Sequence, residues 1–189
     1  MKRIVWRQSY NSLSLRIIML MTRHILTLLF LTFALTCSAQ SIEKRYRSYL
    51  SERGTINFFR PKKLDVKTNV DKFIYDMTYV SRQDSIIINS SLDVKDEGVL
   101  SQFKLKSGER EIPGEAVTML YRDVTKQGYT IRISSRFLIK DIEECFSSNS
   151  PLIFTIVLTD GTVCTATYKP SQWKQERLQV TRILQSINF

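Results

Sequence analysis

The chain has 189 residues, with 28 Lys and Arg, 18 Asp and Glu and a single His, and its formal net charge is +10. This length predicts one folded domain. The histidine is His24, so the chain after it has none. Catalysis by Ser-His-Asp or Cys-His groups needs an imidazole and is therefore excluded there. Zinc binding is disfavoured, because zinc sites rely on His and Cys and residues 40–189 have two cysteines and no histidine. We expect no metal site and no cofactor.

An export signal is predicted over residues 21–39. Arg23 supplies positive charge ahead of the apolar run 25–36, which is shorter than the roughly 20 residues that span a bilayer. Small residues follow in Cys37-Ser38-Ala39, as a signal peptidase requires. The pattern is similar to the leaders of many exported proteins of Gram-negative bacteria, which implies a periplasmic, cell-surface or secreted location.

Cleavage after Ala39 would separate a leader, residues 1–39, from a single soluble domain, residues 40–189. The leader holds five basic residues and no acidic one, so the domain keeps 23 basic and 18 acidic residues and a net charge of +5. This charge favours weak contact with anionic surfaces. A dedicated nucleic-acid binder would concentrate its charge on one face, and we expect no specific nucleic-acid partner.

Two alternatives concern the leader. The signal is already complete from Met21, which favours Met21 over Met1 as the true start, because a charged n-region is normally brief. Cys37 raises the alternative of a lipid anchor. Thr36 and Ala34 occupy the positions where a lipoprotein signal needs a small residue and usually a leucine, so simple cleavage is the favoured interpretation.

The first elements of the domain are predicted from a change in periodicity. A helix is predicted over 41–53, ended by Gly54, and residues 55–69 are predicted to be irregular around Pro61. The predicted helix has one apolar stripe, formed by Ile42, Tyr46, Tyr49 and Leu50.

Beyond residue 70 apolar and polar residues alternate with a period of two, which is typical of strands with one buried face. The strands are predicted over 73–80, 85–90, 98–106, 117–121 and 129–139. The turn-like residues 82–84 join the first two of these strands into a predicted hairpin.

The C-terminal part combines helices with one hairpin. Asp141 and Glu144 form a capping box that predicts a short helix. Asp160-Gly161 is predicted as a two-residue turn between strands over 152–158 and 162–168, and a helix is predicted to start at Pro170. The fold class is therefore α+β: a mainly antiparallel sheet, with curling toward a barrel as one form of it, flanked by an N-terminal and a C-terminal helix. A β-sandwich is the alternative.

One strand carries the candidate ligand site. Phe73, Tyr75, Met77 and Tyr79 share one face of the predicted strand, and two tyrosine hydroxyls in one layer each need a partner if they are buried. We predict that Tyr75 and Tyr79 line a pocket that binds a sugar or an apolar ligand. The favoured alternative is that this face is simply core.

The two cysteines of the domain, Cys145 and Cys164, are a candidate disulfide, because exported proteins fold in an oxidising compartment. With a two-residue turn at Asp160-Gly161, Cys164 would lie opposite Val157. The favoured alternative is that both are free core residues, since disulfide geometry is demanding.

No catalytic motif is visible, so the favoured function is a non-catalytic binding or accessory module of the bacterial envelope, a monomer or small oligomer with an envelope ligand or protein as partner. One alternative is a secreted hydrolase that uses carboxylates alone, for example on glycans. The other is a polyanion-binding envelope protein. A deep cleft with two carboxylates would favour the hydrolase, and a flat basic face would favour the polyanion binder.

Overall fold

The computed structural model describes residues 19–29, 45–66, 72–95 and 98–187. The chain divides into two compact units, Met1–Lys44 and Arg45–Phe189. In the first unit, residues 19–29 form helix α1, and the predicted cleavage site at Ala39 lies outside the described residues. Across the described ranges, no helix combines the length and the hydrophobicity needed to cross a membrane.

The described part of the second unit is mostly antiparallel sheet. Its elements in chain order are β1 (Tyr46–Ser51), β2 (Gly54–Val66), β3 (Phe73–Val80), β4 (Ser85–Val94), β5 (Leu100–Ser107), β6 (Arg110–Pro113), β7 (Glu115–Thr125), β8 (Gly128–Leu138), α2 (Ile139–Ser147), β9 (Ile153–Leu158), β10 (Val163–Thr167) and α3 (Pro170–Ile187). The predicted α+β class, with its antiparallel sheet and C-terminal helix, is confirmed.

The strands form one sheet in the order β6-β5-β9-β10-β2-β3-β4-β8-β7, with β1 paired to β2 beside this path. The sheet is not closed. Its two end strands, β6 and β7, are nevertheless consecutive in the chain and meet at Gly114, whose N–H donates to the carbonyl of Phe103 on β5 at 2.8 Å. A side chain at position 114 would collide with Ser135 Oγ at 2.1 Å, so this junction requires glycine.

The core lies on the inner face of the sheet, where the strands alternate buried and half-buried residues as the period of two predicted. It is rich in aromatic side chains, and each large side chain contributes about 1.5–3 kcal/mol by leaving water. The largest of them are Phe59, Phe73, Tyr75, Phe103, Phe137, Phe146, Phe154, Tyr168 and Trp173. Helices α2 and α3 pack together through Phe146 and Trp173, whose ring centroids are 5.4 Å apart.

The predicted N-terminal helix over 41–53 is wrong for its described residues. Residues 46–51 form β1, an edge strand that pairs with β2 around a turn at Gly54, where φ is 117°. The helical stripe finds no surface to pack against, since Tyr49 is 51% exposed and Leu50 is 90% exposed. Backbone pairing with β2 therefore decides the conformation, and tertiary context overrides the local pattern.

The irregular segment predicted over 55–69 is also wrong for its described residues, because Gly54–Val66 is the longest strand in the described part of the chain, whereas residues 67–69 lie outside it. Pro61 is accommodated by a register shift between Phe59 and Lys62, where the pairing with β3 is interrupted. A bulge tolerates a residue without an N–H, and the strand continues beyond it.

Two local predictions in the C-terminal part need correction. Helix α2 begins after Leu138, no side chain caps it, and Asp141 instead bonds Arg110, so the capping box does not form. The turn between β9 and β10 is longer than two residues, with only Gly161 at positive φ, and Cys164 lies opposite Ile156 rather than Val157.

Candidate functional site

The two tyrosines predicted to bind a ligand lie on the inner face of β3, and the structure separates their surroundings. Tyr75 is fully buried, and Tyr79 is 4% exposed. The Tyr75 hydroxyl enters a polar cluster in the interior, whereas Tyr79 forms part of the wall of a cleft. Tyr75 is not among the described residues that line this cleft.

The polar cluster that we call the buried ionic cluster consists of four interior residues and of Lys62, whose side chain is 37% exposed. The interior residues are Arg45, Tyr75, Tyr168 and Glu176. Glu176 Oε1 accepts from Arg45 Nε at 2.8 Å and from Arg45 Nη2 at 2.6 Å, and Glu176 Oε2 lies 3.1 Å from Lys62 Nζ. Arg45 Nη2 also donates to the Tyr75 hydroxyl at 3.2 Å, and that hydroxyl is hydrogen-bonded to the Tyr168 hydroxyl.

Burial controls the protonation of this cluster. It raises the pKa of Tyr75 and Tyr168 well above the usual range, and the negative charge of Glu176 raises them further. Burial alone would lower the pKa of Arg45, but the charge interactions with Tyr75 and Glu176 outweigh it and raise the pKa. The tyrosines therefore stay protonated, and the cluster joins the start of β1 to α3 as a structural tie.

Of this cluster the sequence pattern singled out only Tyr75, and Glu176 is the member that it gave most reason to expect. Its side chain is 1% exposed although it lies on a helix rich in charged residues. A signal was present, because Glu176 follows the buried Trp173 by three residues and precedes the buried Val180 by four. This spacing puts the carboxylate on the buried stripe of the helix, where a partner cation is required.

Tyr79 lines a cleft of about 640 Å³, and we call it the Tyr79 cleft. The volume lies in the range of sites for small organic ligands. The lining combines hydroxyl and amide side chains with two isoleucines and one arginine. The described lining residues are Thr55, Asn57, Tyr79, Ser81, Arg82, Ile139, Ser186 and Ile187.

The hydroxyl of Tyr79 has no hydrogen-bond partner among the described residues, and it is not among the polar atoms that are buried without one. The residue is 4% exposed, so its hydroxyl is open to solvent at the cleft. The hydroxyl of Tyr75, four residues earlier, is satisfied inside the protein. The free donor and acceptor of Tyr79 therefore belong to the cleft.

Secondary structure holds the walls of the cleft in place. The N–H of Ser81 donates to the carbonyl of Thr55 at 2.9 Å, and the N–H of Thr55 donates to Ser81 Oγ at 3.0 Å. The first residue of α2, Ile139, donates its N–H to the carbonyl of Asp84 at 2.8 Å. The β3–β4 turn is thus tied to both β2 and α2.

The two most deeply buried carboxylates among the described residues lie in different environments. Glu176 is in the buried ionic cluster, on the side of the sheet that Tyr75 faces. Asp76 is the next residue after Tyr75 and points to the opposite face, where it accepts from Asn89 at 2.8 Å and from Arg132 at 2.6 Å. Each carboxylate is thus occupied by its own partners, and among the described residues neither lines the Tyr79 cleft.

Cys145 and Cys164 are both buried and both free in the structure. Burial raises the pKa of the Cys145 thiol to about 11 and also raises that of Cys164. A thiol that stays protonated is a poor nucleophile. Within the described ranges, no group of three or more His, Cys, Asp and Glu side chains is placed to hold a metal ion.

The described residues form an α+β protein with a mostly neutral cleft lined by residues of β2, β3, the β3–β4 turn, α2 and α3. Comparisons with protein-family models, with curated proteins and with solved structures gave no match.

Proposed function

We propose that this chain is an exported protein of the bacterial envelope and that its domain binds a small hydroxylated ligand, a sugar, without transforming it. The predicted signal over 21–39 supports export to the periplasm, the cell surface or the medium. The Tyr79 cleft supports the binding role, and Tyr79 is the residue that we assign to it.

The observation that carries the proposal is the hydroxyl of Tyr79, which has no partner among the described residues and is open to solvent at the cleft, although the residue as a whole is only 4% exposed. A ligand in the cleft can therefore hydrogen-bond to this hydroxyl without displacing a partner inside the protein. Because the ring is 96% buried, the hydroxyl rather than the ring face meets the ligand.

A sugar is favoured by the remaining lining. Thr55, Ser81 and Ser186 place hydroxyls in the lining, and hydroxyls both donate and accept. The amide of Asn57 is already bonded to the Tyr46 hydroxyl and to the carbonyl of Thr55. Ile139 and Ile187 provide the apolar surface that the C–H faces of a sugar ring need. Binding is favoured over glycoside hydrolysis, because that reaction needs two carboxylates flanking one bond and both deeply buried carboxylates are held in ion pairs elsewhere.

Titration by NMR tests the binding role. Backbone amide chemical shifts of the protein as isolated from cells are followed during titration with glucose, galactose, N-acetylglucosamine and the corresponding uronic acids. We expect shifts confined to the residues around the cleft, and we expect Tyr79→Phe to weaken them. Tyr75→Phe is the matched control, because it removes a hydroxyl from the same strand outside the cleft, and it retains binding. Unchanged spectra with every sugar, or equal binding by Tyr79→Phe, would contradict the proposal.

Export is tested separately by the intact mass of the protein isolated from cells. We expect a chain that begins at Gln40, with or without cyclisation to pyroglutamate. A mass that includes residues 1–39, or a diacylglycerol adduct on Cys37, would show that the proposed processing is wrong.

A further inference from the structure

The turn between β3 and β4 has an unusual residue at its third position. The N–H of Gln83 donates to the carbonyl of Val80 at 3.2 Å, which closes a β-turn with Ser81 and Arg82 in the middle. Arg82 has φ of 70°, whereas Ser81 does not have positive φ, so the turn is of type II. Glycine or asparagine is usual at this position, because a side chain with a Cβ is strained there.

The strained residue is also the charged residue of the Tyr79 cleft. Of the described residues that line the cleft, Arg82 alone carries a charge. Its guanidinium has no ion-pair or hydrogen-bond partner among the described residues, in contrast to the guanidiniums of Arg45 and Arg132. Strained residues of this kind persist where function requires the side chain, and the hydrogen bonds of Ser81 to Thr55 hold this turn in place.

We infer that the ligand of the Tyr79 cleft is an acidic sugar and that Arg82 binds its carboxylate, an inference that rests on the proposed sugar-binding function. The guanidinium presents parallel N–H donors that match the two oxygens of a carboxylate. One cation in an otherwise neutral lining complements a single negative charge, which is the charge of a uronic acid. The Tyr79 hydroxyl and the serine and threonine hydroxyls then bind the ring hydroxyls.

The test compares three sugars that differ only at C6: glucose, glucuronate and glucose 6-phosphate. Dissociation constants are measured by NMR titration of the full-length chain and of Arg82→Asn, a substitution that tolerates positive φ and removes the charge. Arg53→Asn is the matched control. Arg53 is an exposed arginine of the neighbouring β1–β2 turn, so this substitution removes the same charge outside the described lining of the cleft.

We expect the unsubstituted chain to bind glucuronate about tenfold or more tightly than glucose, as a charged hydrogen bond provides. Arg82→Asn should lose the preference for glucuronate over glucose, and Arg53→Asn should keep that preference. Equal binding of glucose and glucuronate, an unaltered preference in Arg82→Asn, or tighter binding of glucose 6-phosphate overturns the carboxylate assignment and leaves sugar binding standing. If none of the three sugars perturbs the cleft, the inference and the proposed function both fail.

Discussion

Arg45 Nη2 lies 2.6 Å from Glu176 Oε1, and this ion pair connects the residue before β1 to the middle of α3 across 131 positions of sequence. Both side chains are almost completely buried, at 8% and 1% exposure. Edge strand β1 pairs only with β2, and its other edge has no neighbouring strand in the described sheet. The pair therefore stabilises the position of the N-terminal hairpin as well as that of the last helix.

Removing one member of this pair leaves the other charged and buried. We expect Glu176→Ala to lower the free energy of unfolding by about 3–5 kcal/mol. Arg47→Ala, an exposed arginine of β1, is the control and should change it by less than about 0.5 kcal/mol. Urea denaturation measures both values. If Glu176→Ala and Arg47→Ala are equally stable, the cluster is not the tie described above.

The two tyrosines of β3 should respond differently to loss of their hydroxyls. Tyr75→Phe leaves the Tyr168 hydroxyl without its partner and removes one of the acceptors of Arg45, and it should lower stability by about 1–3 kcal/mol. Tyr79→Phe removes a hydroxyl without a partner in the described structure and should leave the free energy of unfolding unchanged or raise it slightly. Thermal denaturation of the two variants without sugar makes the comparison. An equal loss in both would mean that the Tyr79 hydroxyl is bound inside the fold.

Stability is expected to fall at alkaline pH because of Tyr75 and Tyr168. Burial raises the pKa of both above the ordinary value of 10.0, so the stabilisation is complete below about pH 10 and is lost as the pH rises through the folded-state pKa. The unfolded chain then releases protons that the folded protein retains. Each such tyrosine contributes about 1.4 kcal/mol per pH unit to the decline.

The alkaline effect is measured by urea denaturation between about pH 8 and about pH 11. The Tyr75→Phe variant isolates it, because the cysteines and the other tyrosines are unchanged. We expect a shallower decline in this variant than in the unsubstituted chain. Identical slopes would show that Tyr75 titrates normally and that its hydroxyl is not held in the interior.

Thiol labelling distinguishes the two interpretations of Cys145 and Cys164. Since both are buried and free in the structure, we expect two alkyl groups on unfolded, unreduced protein. The folded protein should react slowly, because burial and the raised pKa of Cys145, about 11, keep the thiolate scarce. No labelling before reduction would establish the disulfide instead.

The strands that the sequence analysis predicted correctly are those whose alternation coincides with burial. In β3 and β4 the residues from Phe73 to Val94 alternate across the sheet, so the pattern and the packing agree. For β1 they disagree, because its four central residues are exposed and only the ladder with β2 makes it a strand. A short exposed segment carries too little burial for its periodicity to decide between helix and strand.

The sequence by itself determined the predicted leader, the lack of histidine in the domain, the α+β class and the tyrosine-bearing strand, because composition and short-range periodicity are local properties. The tertiary structure decided which tyrosine is core and which lines a cleft. The Tyr75 hydroxyl donates to Glu176, which lies 101 positions later in the sequence, and Tyr79 lines one cleft together with Thr55, Arg82 and Ile187. These arrangements depend on strand order and helix packing, which the residue pattern of one strand does not encode.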